Sequence, residues 1–132
     1  MDKEILEVEV EFDLDTFNKQ KQLWKESNVK NYKFVYQLLY HYKDEITVKD
    51  GKNVKHESNA TIDSIYEDIE NTFHKSNKKT HSPNDFILYG INVEYDEINH
   101  IPIKQDNYYY SDDDGYSENV YTYLIKDFKR LL

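Results

Sequence analysis

The chain has 132 residues, a length typical of one domain, and carries 17 basic against 26 acidic side chains, a formal net charge of −9. Such a field repels phosphate backbones, so binding to nucleic acid is disfavoured. The absence of cysteine excludes disulfides, thiol catalysis and thiolate metal sites, and no apolar run reaches the roughly 20 residues of a transmembrane helix.

The chain begins with an acidic segment, residues 1–15, which we expect to form a strand or arm beside the core of a single domain, residues 16–132. Apolar residues alternate with glutamates from Leu6 to Phe12, which predicts a strand with one buried face and an outer row of carboxylates. Charge on such a strand discourages edge-to-edge aggregation, which explains the glutamates better than ion binding does.

A first helix is predicted from a cap at Asp13 or Asp15 to about Ser27, with Phe17 and Trp24 on its buried stripe together with Gln20 or Lys21. After it, aromatic and apolar residues occupy every second position from Tyr32 to Tyr42. This period is that of one strand face, so the segment 31–42 is interpreted as the central antiparallel strand.

The segment 45–56 contains Asp50-Gly51 between two short alternating runs, which predicts a type I′ hairpin. A second helix follows, capped by Asn59 or Thr61. Its apolar residues form one amphipathic stripe at offsets of 0, 3, 4, 7 and 11 and are Ile62, Ile65, Tyr66, Ile69 and Phe73. This helix is expected to cover the sheet.

The C-terminal half is interpreted as an exposed loop over residues 75–85 and three strands over residues 86–95, 101–110 and 120–128, with a turn at Ser111–Ser117. Pro102 is expected at a strand end or edge. In the first of these strands one face is predicted to hold Ile87, Tyr89, Ile91, Val93 and Tyr95. In the last, Tyr121, Tyr123 and Ile125 are predicted to share a face opposite Val120, Leu124 and Phe128.

The predicted order β-α-β-β-β-α-β-β-β indicates an α+β fold, in which two helices pack on one face of an antiparallel sheet of about six or seven strands. Beyond the first strand the order contains two α-β-β-β units. Similar tetrapeptides near the two helix ends, at residues 25–28 and 74–77, leave open an internal duplication.

No segment predicts a catalytic, cofactor or metal site. The turn Ser111–Ser117 holds three aspartates before Gly115, but the EF-hand pattern then requires an oxygen ligand at Tyr110 and Glu at position 121, which is Tyr. The five histidines lie in different predicted elements, and three glycines in all cannot form a Gly-rich phosphate loop. We therefore expect neither an enzyme nor a cofactor.

Tyrosines supply the one candidate binding face, because tyrosine offers contact area and a hydroxyl at low entropic cost. Three are consecutive and two more follow on the last strand. The candidate residues are Tyr108, Tyr109, Tyr110, Tyr121 and Tyr123. The alternative is that they serve only as strand formers.

Several segments together resemble an uncharacterised bacterial family, a domain of unknown function found in small secreted proteins and lipoproteins. They cover about residues 17 to 128 and are Trp24 with 28–36, 46–51, 61–66, 93–96 followed by Pro102, and 123–128. Members often carry cysteines after the first strand, and residues 38–42 here have none. The resemblance implies an envelope or extracellular setting and no established activity.

We expect a non-enzymatic bacterial protein that binds a protein or a small ligand. The first seven residues lack the basic and apolar regions of a signal peptide. If a signal sequence was removed, we expect the protein in the envelope or the extracellular space, and the native precursor could then carry a lipid anchor. If none was removed, we expect it in the cytoplasm. The alternative is a small acidic immunity or inhibitor protein that blocks a basic toxin or nuclease in the cytoplasm.

Overall fold

The computed structural model describes residues 6–38, 43–54, 59–81, 86–111 and 116–132, with the backbone alone for Leu6, His81, Tyr116 and Tyr121. The elements in chain order are β1 (Leu6–Val8), α1 (Leu14–Ser27), β2 (Tyr32–Leu38), β3 (Lys43–Lys49), β4 (Lys52–Asn53), α2 (Ile62–Ser76), β5 (Lys79–His81), β6 (Ile87–Asp96), β7 (Ile101–Ser111) and β8 (Tyr116–Arg130). Apart from β5, the order is the predicted one.

The main sheet has six strands in the order β4-β3-β2-β8-β7-β6, and every neighbouring pair is antiparallel. Each helix precedes a three-stranded meander, β2-β3-β4 after α1 and β6-β7-β8 after α2. Strand β2 lies between β3 and β8, as its aromatic period predicted, although positions 39–42 of the predicted strand fall outside the described residues. Strands β1 and β5 form a separate antiparallel pair. The α+β prediction is confirmed.

Both helices pack on one face of this sheet, and their ends follow from local hydrogen bonding. Asp13 caps α1 by accepting from the Thr16 N–H at 3.1 Å, and Asn28 ends it in the left-handed region at φ 53°. Thr61 and Ser64 form a capping box at the start of α2. All predicted stripe residues are buried: Phe17, Gln20 and Trp24 in α1, and Ile62, Ile65, Tyr66, Ile69 and Phe73 in α2.

Aromatic side chains form much of the core between the helices and the sheet. Trp24 meets Tyr32 edge to face at 5.4 Å between ring centroids, and Phe17 meets Tyr66 at 5.7 Å. Such pairs add about 0.5–1.5 kcal/mol each to the burial of their apolar area. The hairpin between β3 and β4 has φ of 53° at Asp50 and 78° at Gly51, both positive as the type I′ prediction requires.

The predicted N-terminal strand, Leu6 to Phe12, is longer than the observed one, because the arm pairs first with β5 and then with β6. The Val8 carbonyl accepts from Lys78 N–H beside β5, whereas Glu11 bonds to β6 through its N–H to the Tyr89 carbonyl at 2.8 Å. The strand therefore ends at Val8. The predicted alternation nevertheless holds, with Val10 buried and Glu11 exposed. Strand β5 likewise lies in the region predicted to be loop, and residues 82–85 of that region are outside the described residues.

Two β-bulges overturn predicted strand faces. In β6, Leu88 pairs with Tyr109 and Gly90 with Tyr108, so Tyr89 is an extra residue and its ring turns away from the helices. In β8, the register shifts by one residue between the pairs Lys33–Lys129 and Val35–Lys126.

The second bulge contains Asp127, whose φ is 54°. It places Phe128 on the helix face, where the Phe128 ring contacts Trp24 at 6.1 Å and Tyr32 at 5.5 Å, and not on the face predicted for it with Leu124.

Candidate functional site

Strand alternation divides the predicted tyrosine face between the two sides of β7. Tyr109 lies on the helix side with Asn107, whose Nδ2 donates to the Tyr109 hydroxyl at 3.2 Å. Tyr108 and Tyr110 lie on the opposite side. Tyr123 is only 4% exposed and belongs to the core, so it is not part of an exposed face, and the side chain of Tyr121 is outside the described residues. The five tyrosines therefore do not form one surface.

A different tyrosine cluster forms on the face away from the helices. The Tyr89 ring lies 6.1 Å from Tyr108 and 5.4 Å from Tyr110, centroid to centroid, and all three side chains are half-buried. The bulge in β6 produces this cluster, because it turns Tyr89 toward the two tyrosines of β7. Tyr89 was missed as a site residue, although a glycine inside a strand pattern, here Gly90, is the usual signal of a bulge.

This cluster borders a cleft of about 460 Å³, which we call the arm cleft. Its lining is Glu11, Phe12, Asp13, Tyr89, Gly90, Ile91, Asn92 and Tyr108. The volume lies within the range of about 300–1,000 Å³ that is usual for ligand pockets.

The acidic arm forms one wall of the arm cleft because its backbone joins the edge of the sheet. The Glu11 N–H donates to Tyr89, and the Glu11 carbonyl accepts from Ile91 N–H at 2.9 Å. At Gly90 a Cβ would stand 3.4 Å from the Tyr108 ring and 3.8 Å from the Glu11 carbonyl oxygen, so glycine keeps this part of the cleft open.

The carboxylates of the arm cleft give it negative charge. Asp13 is exposed, and hydrogen bonds from the Thr16 hydroxyl and backbone N–H lower the pKa of its carboxyl, which is therefore ionised at neutral pH. Glu11 is also exposed. The cleft therefore combines aromatic faces with acidic groups, a pairing that suits a cationic side chain.

A second space lies between α2 and the sheet, on the helix side of β2, β7 and β8. This α2 cavity has a volume of about 200 Å³ and is lined by Tyr36, Leu38, Ile65, Asp68, Thr72, Gln105, Asn107, Thr122 and Tyr123. Among the described residues, the buried Tyr123 hydroxyl has no hydrogen-bond partner.

Electrostatics differ between the rim and the floor of the α2 cavity. Asp68 is solvent-exposed at the rim, where partial desolvation and the neighbouring Glu67 raise the pKa of its carboxyl. Burial raises the pKa of both Tyr36 and Tyr123, and the Asp68 carboxylate adds to both shifts. Both phenols are therefore neutral at physiological pH.

No group of three His, Asp or Glu side chains within the described ranges is placed to hold a metal ion. The aspartates of the turn at Ser111–Ser117 fall at positions 112–114, outside those ranges.

His100 contacts Gln20, with 3.0 Å between Nδ1 and Oε1. Neither helix is long and apolar enough to cross a membrane, so far as the described part of the chain extends.

No protein-family model matches the chain, and no curated protein and no solved structure shows significant similarity to it. The candidate sites are therefore interpreted from their own geometry.

Proposed function

We propose that this protein acts by binding, and that the arm cleft receives a basic segment of a partner protein. The observation that carries the proposal is the position of Tyr89 and Tyr108 beside the exposed carboxylates of Glu11 and Asp13 in one cleft. A lysine or arginine side chain entering it would lie over a tyrosine face and pair with a carboxylate.

The charge of the whole molecule supports a basic partner. A net charge of −9 attracts cationic proteins and accelerates their encounter at low salt. Tyrosine is also among the residues that contribute most to binding energy in protein interfaces. The family resemblance supports an envelope or extracellular setting for this interaction.

Peptide binding tests the proposal directly. Labelled dodecapeptides containing lysine and arginine would be titrated by fluorescence anisotropy, beside matched peptides with norleucine for lysine and citrulline for arginine. We expect the cationic peptides to bind about tenfold or more tightly, since a charge-assisted contact contributes roughly 1.5–3 kcal/mol. Salt should weaken their binding.

Variants then locate the site. Glu11→Gln and Tyr108→Ala should each weaken cationic peptides about tenfold. Glu45→Gln is the matched control, because Glu45 is exposed on β3, separated from β6 by three strands. Equal affinity for cationic and neutral peptides, or equal losses in all three variants, would overturn the proposal.

The alternative is an immunity or inhibitor protein, which the same acidic cleft favours when the basic segment belongs to a toxin or nuclease. The two functions differ in the setting and in the consequence of binding. Cytosolic and envelope extracts would be passed over the wild-type protein and over Tyr108→Ala. A basic enzyme retained by the wild type alone, and inactivated by it, supports the inhibitor function, whereas retention of envelope proteins without loss of activity supports the binding module.

A further inference from the structure

We propose that the α2 cavity is a second binding site, which takes a small aliphatic ammonium compound independently of the arm cleft. The proposal rests on three features of the cavity: the hydrogen-bonding capacity that its side chains leave open, the unpartnered Tyr123 hydroxyl, and the charge of its lining.

Four side chains that line the cavity already donate hydrogen bonds within the protein. Gln105 Nε2 donates to Asn107 Oδ1 at 3.0 Å, and Asn107 Nδ2 donates to Tyr109. The hydroxyl of Thr72 donates to the Asp68 carbonyl at 2.8 Å, and that of Thr122 donates to the Gln105 carbonyl at 3.3 Å. Hydroxyl lone pairs, the Asp68 carboxylate and the Tyr123 O–H remain, so the cavity offers acceptors to a ligand group that donates and a donor to a hydroxyl that accepts.

The Tyr123 hydroxyl is an unused hydrogen-bonding group on a side chain that lines the cavity. Tyr123 is 4% exposed, and its hydroxyl oxygen has no partner among the described residues. A buried polar group without a hydrogen bond is costly and therefore uncommon in folded proteins. A ligand that hydrogen-bonds this oxygen removes that cost.

The charge of the lining selects a cation. Among the described residues, the nine that line the cavity include one carboxylate, Asp68, and no lysine, arginine or histidine. The rings of Tyr36 and Tyr123 lie 5.7 Å apart and form an aromatic wall, to which an ammonium group is attracted. A single carboxylate does not provide the six to eight oxygen ligands of Ca²⁺, so an organic cation matches the site better than a metal ion.

The volume limits the ligand to a small molecule. Liquid water occupies about 30 Å³ per molecule, so 200 Å³ corresponds to roughly six or seven waters. A compound of similar size with an ammonium group at one end and a hydroxyl at the other would present donors to both Asp68 and Tyr123. The probe we choose is 4-amino-1-butanol.

Calorimetric titration of the full chain with 4-amino-1-butanol tests the site, with 1,4-butanediol as the neutral comparison. We expect saturable 1:1 binding of the amine and at least about tenfold weaker binding of the diol, because the diol lacks the charge-assisted contact to Asp68. The variants Asp68→Asn and Tyr123→Phe should each weaken amine binding about tenfold.

Glu67→Gln is the matched control, because it removes a carboxylate from the adjacent position of α2, which lines a different surface against α1. It should leave amine affinity within about twofold of the wild type. The absence of saturable binding, equal affinity for amine and diol, or unchanged binding in Tyr123→Phe would overturn the proposal.

Should Tyr123→Phe fail to fold, nuclear magnetic resonance of the wild type decides in its place. Amide shifts confined to α2, β2, β7 and β8 on adding the amine support the site, and shifts elsewhere contradict it.

Discussion

Two regions beneath α2 use tyrosine in opposite ways. At the N-terminal half of the helix, Tyr32 of β2 and Tyr66 of α2 are both almost completely buried and both are hydrogen-bonded. The Tyr32 hydroxyl accepts from the Ile62 N–H at 2.9 Å, and the Tyr66 hydroxyl donates to the His100 carbonyl at 2.6 Å. At the α2 cavity, Tyr123 is equally buried and its hydroxyl has no partner among the described residues.

The difference teaches that burial alone does not define the role of a tyrosine. A satisfied hydroxyl stabilises the fold, because it replaces water as the partner of a backbone group, as Tyr32 does for the Ile62 N–H that the start of the helix leaves free. An unsatisfied hydroxyl destabilises the free protein and gains a partner only when a ligand enters. The first turn of α2 is therefore structural, and the α2 cavity is the region with unused binding capacity.

The largest expected effect is the loss of stability at alkaline pH, to which Tyr32 contributes. Burial raises the pKa of Tyr32 to about 12 from its usual 10, so the phenol is neutral when folded and ionises more readily when unfolded. This contribution is present below pH 10 and is lost as the pH rises from 10 to 12, by about 3 kcal/mol in total. Urea unfolding at pH 9, 10, 11 and 12 measures it.

Tyr32→Phe is the control for this pH dependence, because phenylalanine cannot ionise. The free energy of unfolding of the variant should fall less steeply between pH 10 and 12 than that of the wild type. Parallel curves for the two proteins would show that Tyr32 does not contribute.

The next effect compares the two kinds of buried hydroxyl at pH 7. Tyr32→Phe should lower the free energy of unfolding by about 1–2 kcal/mol, because the Ile62 N–H is left buried without its acceptor. Tyr123→Phe should leave it unchanged or raise it, since no hydrogen bond among the described residues is removed. Urea unfolding of both variants is the measurement, and equal destabilisation would remove the distinction between the two regions.

A smaller effect concerns threonines at the two ends of the same helix. Thr61→Ala removes the side chain that accepts from the Ser64 N–H at 3.0 Å and should cost about 1 kcal/mol. Thr72→Ala removes a hydroxyl whose one bond among the described residues is to the Asp68 carbonyl in the preceding turn, and should change stability by less than about 0.5 kcal/mol. Thermal unfolding followed by circular dichroism compares the stabilities of the two variants. A larger loss of stability in Thr72→Ala than in Thr61→Ala would contradict the structural role assigned to the first turn of α2.

The helices, the hairpin and the central strand could be predicted because their signals are local. Thr61 followed by an apolar stripe predicts α2. Asp50-Gly51 predicts the turn between β3 and β4, and neither prediction needs information from the rest of the chain. The bulges were not predictable in the same way, because a bulge depends on the register of a neighbouring strand. They determine where Tyr89 and Phe128 point.

The candidate sites were harder to predict than the fold, because their residues come from distant segments. Asp68 on α2 meets Tyr123 on β8 only after the sheet has formed, and neither position is distinctive in sequence. The consecutive tyrosines 108–110 did indicate a surface, yet alternation places Tyr109 on the helix side. Glu11 was interpreted as edge charge, and its position in the arm cleft depends on the pairing of the arm with β6.

The smallest effect, Asp68→Asn, connects stability to binding at the α2 cavity. The pKa of Asp68 is raised by partial desolvation and by Glu67, so ionisation of this carboxyl disfavours the folded state. The variant should therefore be slightly more stable than the wild type at pH 7, by less than about 0.5 kcal/mol, and indistinguishable from it at pH 3, where the carboxyl is protonated in both states.

Adding 4-amino-1-butanol should reverse the order at pH 7, because ligand binding stabilises only a protein that binds it. The wild type should then show the higher melting temperature, because Asp68→Asn binds the amine more weakly and gains less stability from it. An increase of equal size in both proteins would mean that the amine acts elsewhere, and the contrast between the two regions beneath α2 would then rest on the hydroxyls alone.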